Sequence, residues 1–390
     1  MDLDVLRDSP IGELVPVSGH DGRTGEPYDY FAYLAAPLPA SIELSSGTWT
    51  AVTRAEAALA RLDQAARQVP APGLLRQPAL RREAQSTSAL EGTFAPLEEV
   101  LESDIDNRAQ LSLEVREILN YVVAAEEAFS WVLDRPLTTG LLSALQRTLV
   151  QGTAGEHADA GRLRERHVFI GPRDAPIQAA RFVPAPFGDQ LRAGLEGWVR
   201  WVNDPPRDLP AVVSAGLAHY QFETLHPFSD GNGRIGRLLI VLQLLRQRVL
   251  THPILVVSPW FETRRTEYQD ALLTLSQDGD WDSWIGFFAR GLWASAETTH
   301  ARVDALLSWQ DETQQRVREA GISGVAERVA GELIGSPFLR AGQVATQHGV
   351  SHQGAMNALR RLASLGVIVE RTRNGRSSFV ATDVVRLLSQ

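Results

Sequence analysis

The sequence predicts a mainly α-helical protein: a helical core bearing one small β-hairpin, followed by a C-terminal winged helix-turn-helix. Three observations predict it. Apolar residues recur at helical spacing along most of the chain between Thr50 and Glu319. One stretch breaks that rhythm, HVFIGPRDAPIQAARFVPAP, which sets two β-prone pieces, His167 to Ile170 and Ala180 to Val183, around a Gly/Pro/Asp turn. The segment from Pro337 to Thr382 then reads helix, Gly-Val-Ser turn, helix, strand, Asn-Gly turn, strand.

Taken in order, residues 1–48 mix proline, glycine and tyrosine with few periodic segments, as in GRTGEPYDYF and AAPLPAS, and read as an irregular arm. The alanine-rich run from Thr50 to Arg67 has helical spacing, and Gln68 to Pro78 supplies breakers before another helical segment. Segments 110–133, 136–150, 187–202 and 208–224 are helical and separated by prolines or polar turns. The pattern resumes at 235–249, 263–276, 280–293 and 297–319, and breaks at Gly321 to Gly324. These boundaries divide the chain into an N-terminal region 1–110, a core 111–300, a helical linker 301–330 and the C-terminal unit 331–390.

Composition removes several chemistries. With 390 residues, 44% hydrophobic and 22% charged, the chain fits a globular protein of about two or three domains and excludes disorder as its dominant state. It has no cysteine, so disulfides, thiolate zinc sites and cysteine nucleophiles are out. It also has no lysine: all 38 basic residues are arginine, which excludes a phosphate-loop lysine, Schiff-base chemistry and a kinase-type lysine. Phosphate handling then falls to arginine, backbone N–H groups or a metal. No run approaches the ~20 apolar residues of a membrane span and the start lacks a signal-peptide core, so a cytoplasmic protein with no membrane partner is expected. A net charge of -9 argues against a surface-wide nucleic-acid platform while leaving room for a local basic patch.

The chemistry concentrates in Leu225 to Arg237, LHPFSDGNGRIGR. His226 follows an amphipathic helix and precedes Pro227, whose ring disfavours helical geometry one residue back, so the imidazole sits at a helix end. Gly231 and Gly233 let the backbone turn tightly just before the next helix, where free N–H groups form an anion site. Arg234 and Arg237, three apart, leave the same helical face, and their planar forks suit phosphate oxygens. Asp230 would be repelled by a bare phosphate, which points to a divalent cation between them, with magnesium the natural choice. The histidine at the edge can accept a proton from an incoming hydroxyl. A merely capped turn does not ask for both arginines and the histidine together.

These residues resemble the Fic family, whose motif HxFx[D/E]GNGRxxR is matched by His226, Phe228, Asp230, Gly231, Asn232, Gly233, Arg234 and Arg237. The resemblance implies a mostly helical enzyme that transfers AMP from ATP to a protein hydroxyl. It implies His226 as base, Asp230 as magnesium ligand, Asn232 with the Gly231 to Gly233 backbone around the α-phosphate, Arg234 on the β-phosphate side and Arg237 on the γ-phosphate. Phe228 would anchor the loop. The kinase branch of the family usually has lysine where Gly233 stands, which disfavours kinase activity. Residues 1–110 would be the N-terminal Fic-associated region and 111–300 the catalytic core.

Further features follow from the same resemblance. The hairpin at 167–183 is similar to the family flap, with Phe169, Ile170 and Phe182 as its target-binding residues, where a target protein would dock as an added edge strand; a purely structural hairpin is the alternative. Thr87 to Gly92, TSALEG, is similar to the inhibitory pattern [S/T]xxxE[G/N], which implies that Thr87, Glu91 and Gly92 form a restraint in which Glu91 pairs with Arg237. Tyr268, in RRTEYQDAL, would line the nucleotide pocket or serve as a core aromatic.

The last 60 residues hold seven arginines against three acids, a net of +4 on an acidic chain. Gln353, Asn357 and Arg360 on the second helix, with Arg373 and Arg376 beside the Asn374-Gly375 turn, are nucleic-acid candidates; a protein partner for this unit stays equally open. The expected function is a protein adenylyltransferase, acting on a target and on itself, using ATP and Mg2+ and restrained by Glu91. Two alternatives stand beside it: a de-AMPylating hydrolase that uses Glu91, and a nucleotide-sensing DNA-binding regulator. The sequence leaves a homodimer open.

Overall fold

The computed structural model describes the chain except residues 22–24, 70, 106–110, 173–175 and 374–375, and for Arg373 and Arg376 it describes only the backbone. In chain order the helices and strands are α1 (Leu3–Arg7), β1 (Gly12–His20), β2 (Pro27–Ala35), α2 (Ser46–Gln68), α3 (Gly73–Leu90), α4 (Leu97–Glu102), α5 (Leu113–Val132), α6 (Thr139–Val150), α7 (Asp189–Asn203), α8 (Ala211–Leu225), α9 (Asn232–Arg246), α10 (Ser258–Glu262), α11 (Arg265–Asp278), α12 (Trp281–Glu319), α13 (Val325–Glu332), β3 (Phe338–Leu339), α14 (Ala341–His348), α15 (His352–Ser364), β4 (Val369–Arg373), β5 (Arg376–Val380) and α16 (Thr382–Ser389). The protein is mainly α, as expected. The chain forms two compact units, Met1–Ala60 with Asn120–Leu250 and Val257–Ala294, and Arg61–Leu119 with Thr251–Val256 and Ser295–Gln390.

The first unit is built around α8 and α9, which pack on one another. Nearly every side chain of both is buried, as expected of helices that are apolar all round rather than on one stripe. Two indoles hydrogen-bond α8 carbonyls from neighbouring helices: Trp198 Nε1 donates to Ala218 O at 2.8 Å and Trp284 Nε1 to Gly216 O at 3.0 Å. Gly216 is needed there, since a Cβ would come within 2.9 Å of Ile285 and 3.0 Å of Phe288. His219, fully buried on α8, is ringed by Phe261, Tyr268, Trp284 and Phe288. Its Nδ1–H donates to Gly236 O at 3.0 Å and its Nε2 accepts from the Tyr268 hydroxyl at 2.8 Å, so the neutral ring is satisfied at both nitrogens.

Residues 1–48 are not an irregular arm. β1 and β2 form a nine-residue antiparallel hairpin in which Gly19 faces Tyr28 and the tyrosine ring lies over the glycine. Pro16 inside β1 hid the strand from a sequence reading, and it is tolerated because β1 is an edge. The expected hairpin at 167–183 is, conversely, reduced to one antiparallel bridge between Ile170 and Phe182, with a short 3₁₀ turn at Ile177–Ala179. The two features support each other: Val17, Tyr28 and Ala32 pack with Ile177, Ala180 and Val183, and Tyr33 N–H donates to Val183 O at 2.9 Å. The separate helices expected at 280–293 and 297–319 are one 39-residue helix, α12, because the Ala-Ser-Ala-Glu step between them contains no breaker.

In the second unit, α3 packs on α4 and α16, and β3, β5 and β4 form a three-stranded antiparallel sheet in that order. Gly349, left-handed with φ 65°, caps the end of α14, and Ser351 caps the start of α15, its hydroxyl accepting from Gly354 N–H at 3.1 Å. Asp104, after α4, pairs with Arg81 of α3, and Glu98 of α4 with Arg371 of β4 at 2.6 Å. The Asn374-Gly375 turn lies outside the described residues.

His219 sets an acid limit on the fold. Burial, then the Arg237 charge, hold its pKa at about 3, below the ordinary 6.5 of an exposed or unfolded histidine. Because the folded value is the lower one, its contribution to stability is complete above pH 6.5 and is lost as pH falls toward 3; His167, held at about 4, acts in the same sense. Denaturant unfolding should show stability dropping between pH 7 and pH 5, and His219→Gln should remove about 2 kcal/mol of that drop. An unchanged drop in the variant would show that the ring is not held neutral.

Candidate active site

The motif residues fall on the junction between α8 and α9. His226 caps the C-terminus of α8 and adopts left-handed geometry, φ 48° and ψ 62°. A non-glycine residue there carries roughly 1–2 kcal/mol of strain, which neighbouring contacts have to offset. Its Nδ1–H donates to Glu223 O at 3.2 Å, which leaves Nε2 as the lone-pair nitrogen. A neutral ring held this way can accept a proton at Nε2.

The loop between the helices is held by Asn232. Its Oδ1 accepts from Phe228 N–H at 2.9 Å and its Nδ2 donates to Phe228 O at 2.7 Å, a two-point clasp on one residue. Asn232 is 1% exposed, and its side-chain amide is turned onto the loop. Phe228, fully buried, anchors the same turn. Gly231 is left-handed at φ 83°, and a Cβ on it would come within 2.7 Å of Leu149. This lets α9 begin at Asn232 rather than at the expected Ile235, so Gly233 and Arg234 lie in its first turn, where amides lack intrahelical acceptors. At the other end the helix stops at Arg246 rather than Val249, where Arg248 turns left-handed at φ 58°.

Charge surrounds this N-terminus. Arg234 is 2% exposed and donates from Nη2 to Asp230 Oδ1 at 2.7 Å. Arg237 is equally buried, and its charge depresses the pKa of His219. The Asp230 main-chain carbonyl accepts from Gln146 Nε2 at 3.2 Å, and the loop after α6 passes so close that a Cβ on Gly155 would lie 2.6 Å from the Asp230 carboxylate. Asp159 accepts from the Ser229 hydroxyl. Among the described residues no group of three or more metal-binding side chains forms. A single partly exposed carboxylate, Asp230, is what a magnesium ion needs when phosphate oxygens supply the rest of its shell.

Other expected site residues lie elsewhere. Tyr268 is 4% exposed, packed on Phe261 and His219, with its hydroxyl donating to His219 Nε2. Phe169 packs edge-on against Tyr28 and Phe182 lies tilted against Tyr33, so these flap residues face the N-terminal hairpin. Thr87 is fully buried on α3, Glu91 is the exposed residue that ends that helix, and Gly92 takes φ 96°, with Thr93 N–H closing the turn onto Ser88 O at 3.0 Å. Gln353, Asn357 and Arg360 are exposed on α15. Gln146, Gly155, Asp159 and Arg164 were not found from sequence, and no spacing signal links them to the motif.

Two family models match the chain: the Fic/DOC family N-terminal region over residues 49–130 and the Fic/DOC family over residues 136–244, which contains the whole junction. The chain belongs to the Fic/DOC family. Among similar proteins, the protein adenylyltransferase Fic of Drosophila melanogaster is 28% identical over 179 residues, covering 44% of this chain and 33% of that protein. The protein adenylyltransferase fic-1 of Caenorhabditis elegans is 31% identical over 140 residues, covering 36% and 24%. The chain thus spans about a third or less of the curated relatives it matches. A Fic family protein from Desulfovibrio desulfuricans G20 shares the fold with TM-score 0.56 at 20% identity, over 88% of this chain and 98% of that one. A fragment of Fic-1 from C. elegans gives 0.51 at 20% identity, over 65% and 72%.

Gly231 provides a direct check of this Fic junction. Gly231→Ala should lower stability by roughly 1–2 kcal/mol, from left-handed strain and the Leu149 clash, and weaken ATP binding more than an exposed control such as Gly152→Ala. Thermal melts and calorimetric titration read the two effects; unchanged ATP affinity in a destabilised variant would remove the α9 N-terminus from the binding site.

Proposed function

We propose that the chain is a protein adenylyltransferase that transfers AMP from ATP to a hydroxyl of a target protein, and to its own hydroxyls. One observation carries the reading: an imidazole whose Nδ1–H is tied to a carbonyl stands at the end of α8, across a six-residue-long motif turn from an α9 N-terminus with two buried arginines. The amides of Gly233 and Arg234 and the positive end of α9 suit the α-phosphate, and Arg234 and Arg237 suit the β- and γ-phosphates. His226 Nε2 takes the proton of the incoming hydroxyl as its oxygen bonds the α-phosphorus. The bond from that phosphorus to the bridging oxygen breaks, and pyrophosphate leaves with its electron pair. Asp230 would hold magnesium, which supplies charge neutralisation of the phosphates. The target would dock its backbone along the Ile170 to Phe182 segment in a cytoplasmic setting.

Restraint by Glu91 belongs to the same proposal. A carboxylate at the end of the TSALEG helix turn that pairs with Arg237 would occupy the cation needed by the γ-phosphate and leave the α-phosphate misaligned. Incubation with α-labelled ATP and magnesium should label protein, the chain included. Glu91→Gly should raise labelling by about tenfold or more, and His226→Ala should abolish it. A Glu91→Gly rate equal to the unaltered rate would refute the restraint. Loss of AMP release from a modified protein in Glu91→Gly would instead assign Glu91 to hydrolysis.

A second reading concerns the C-terminal unit, favoured by the exposed Gln353, Asn357 and Arg360 on one face of α15 and the net +4 of residues 331–390. We infer a DNA-contacting role for this face. Mobility shift on duplex DNA should weaken steeply with salt and weaken further in Arg360→Ala and Arg373→Ala. Salt-insensitive or absent binding would assign the unit to a protein partner, a second copy of the chain included.

A further inference from the structure

Arg164 is 1% exposed, and the chemistry described so far makes no use of it. Its guanidinium spends its donors on main-chain carbonyls. Nε donates to His226 O at 2.8 Å, Nη1 to Arg166 O at 3.1 Å, and Nη2 to Leu225 O at 3.2 Å and to Ala185 O. Its own amide N–H donates to Pro227 O at 3.0 Å. One residue therefore holds three consecutive carbonyls, 225 to 227, with His226 in the middle.

The choice of arginine follows from what must be satisfied. The last carbonyls of α8 have no intrahelical partner, and a buried acceptor left unpaired is costly. Only a planar fork with five N–H groups reaches acceptors in several directions at once; a lysine has three donors on one atom. A positive group at a helix C-terminus also meets the negative end of the helix dipole. Burial of the guanidinium pulls its pKa down to about 9, still charged at neutral pH. The cost of burying that charge is offset by the carbonyl cage.

The same fork reaches both sides of the flap. Arg166 lies just before the Ile170 bridge and Ala185 just after Phe182, so the strand expected to present the acceptor and the turn that carries the base share one hydrogen-bond network.

We propose that Arg164 is the positioning residue of this site: it locks residues 225–227 so that His226 keeps its left-handed geometry, in fixed register with the flap, and it touches neither ATP nor acceptor. The proposal rests on the reading of His226 as the base.

The test uses full-length protein carrying Glu91→Gly, with Arg164→Lys and Arg164→Met against the exposed control Arg162→Ala. Self-labelling at saturating ATP should fall about 100-fold in the Arg164 variants, the cost of misplacing a reacting group by about 1 Å. The ATP concentration for half-maximal rate should stay within about twofold, since the α9 N-terminus is untouched. Arg162→Ala should match its parent. A folded Arg164 variant with an unchanged rate, or a loss that appears wholly as weaker ATP binding, would overturn the proposal. If Arg164→Met does not fold, the lysine variant carries the same comparison. The imidazole NMR signal of His226, assigned by its absence in His226→Ala, provides a readout independent of turnover. It should shift and broaden in the Arg164 variants and not in Arg162→Ala, and an unmoved signal overturns the proposal even if the chain transfers no nucleotide at all. Failure of every protein form to label, with the signal moved, would count against the transferase reading alone.

Discussion

The clasp between Asn232 and the Phe228 peptide is the constraint on which the rest of the junction depends. A turn joining two buried helices has to satisfy its own polar groups, because neither water nor a neighbouring strand is available to every one of them. The Asn232 amide does this at both ends of one residue. With that turn closed, Gly231 can reverse the chain and α9 can begin at Asn232. Each of the two hydrogen bonds contributes about 0.5–1.5 kcal/mol net, yet losing their shared side chain would strand a buried donor and a buried acceptor together.

The arginines show how a chain without lysine handles charge in a core. Arg234 is balanced by Asp230 one turn away, while Arg164 is satisfied by main-chain oxygens. The first kind of partner can be exchanged for a phosphate or a metal-bound phosphate, because another anion can take the carboxylate's place beside the guanidinium. The second cannot be exchanged without opening the end of α8. In the proposed mechanism, binding and positioning fall to different guanidinium groups.

Much of this was legible in the sequence. The motif from His226 to Arg237 announced the junction because its chemistry is local: a histidine before proline, two glycines and two arginines act within one turn of chain. The helices were legible for the same reason, although Gly231 moved the start of α9 by three residues and α12 ran through an expected gap. The N-terminal hairpin was missed because Pro16 lies in a strand that only an edge permits, and because the partner that justifies it, the segment from Ile177 to Val183, is distant in sequence. Tyr268 reads equally as a pocket or a core residue from sequence, and its hydrogen bond to His219, 49 residues away, has no spacing signal. Arg164, Gln146 and Asp159 act through tertiary proximity alone, which spacing does not encode.

The most direct measurement is a crystal structure of the Glu91→Gly protein with magnesium and a non-hydrolysable ATP analogue. The account predicts the α-phosphate over the Gly233 and Arg234 amides, terminal phosphates on Arg234 and Arg237, and His226 Nε2 facing the side opposite the leaving pyrophosphate. A nucleotide bound away from the α9 N-terminus, or an imidazole shielded from the α-phosphorus, would contradict it.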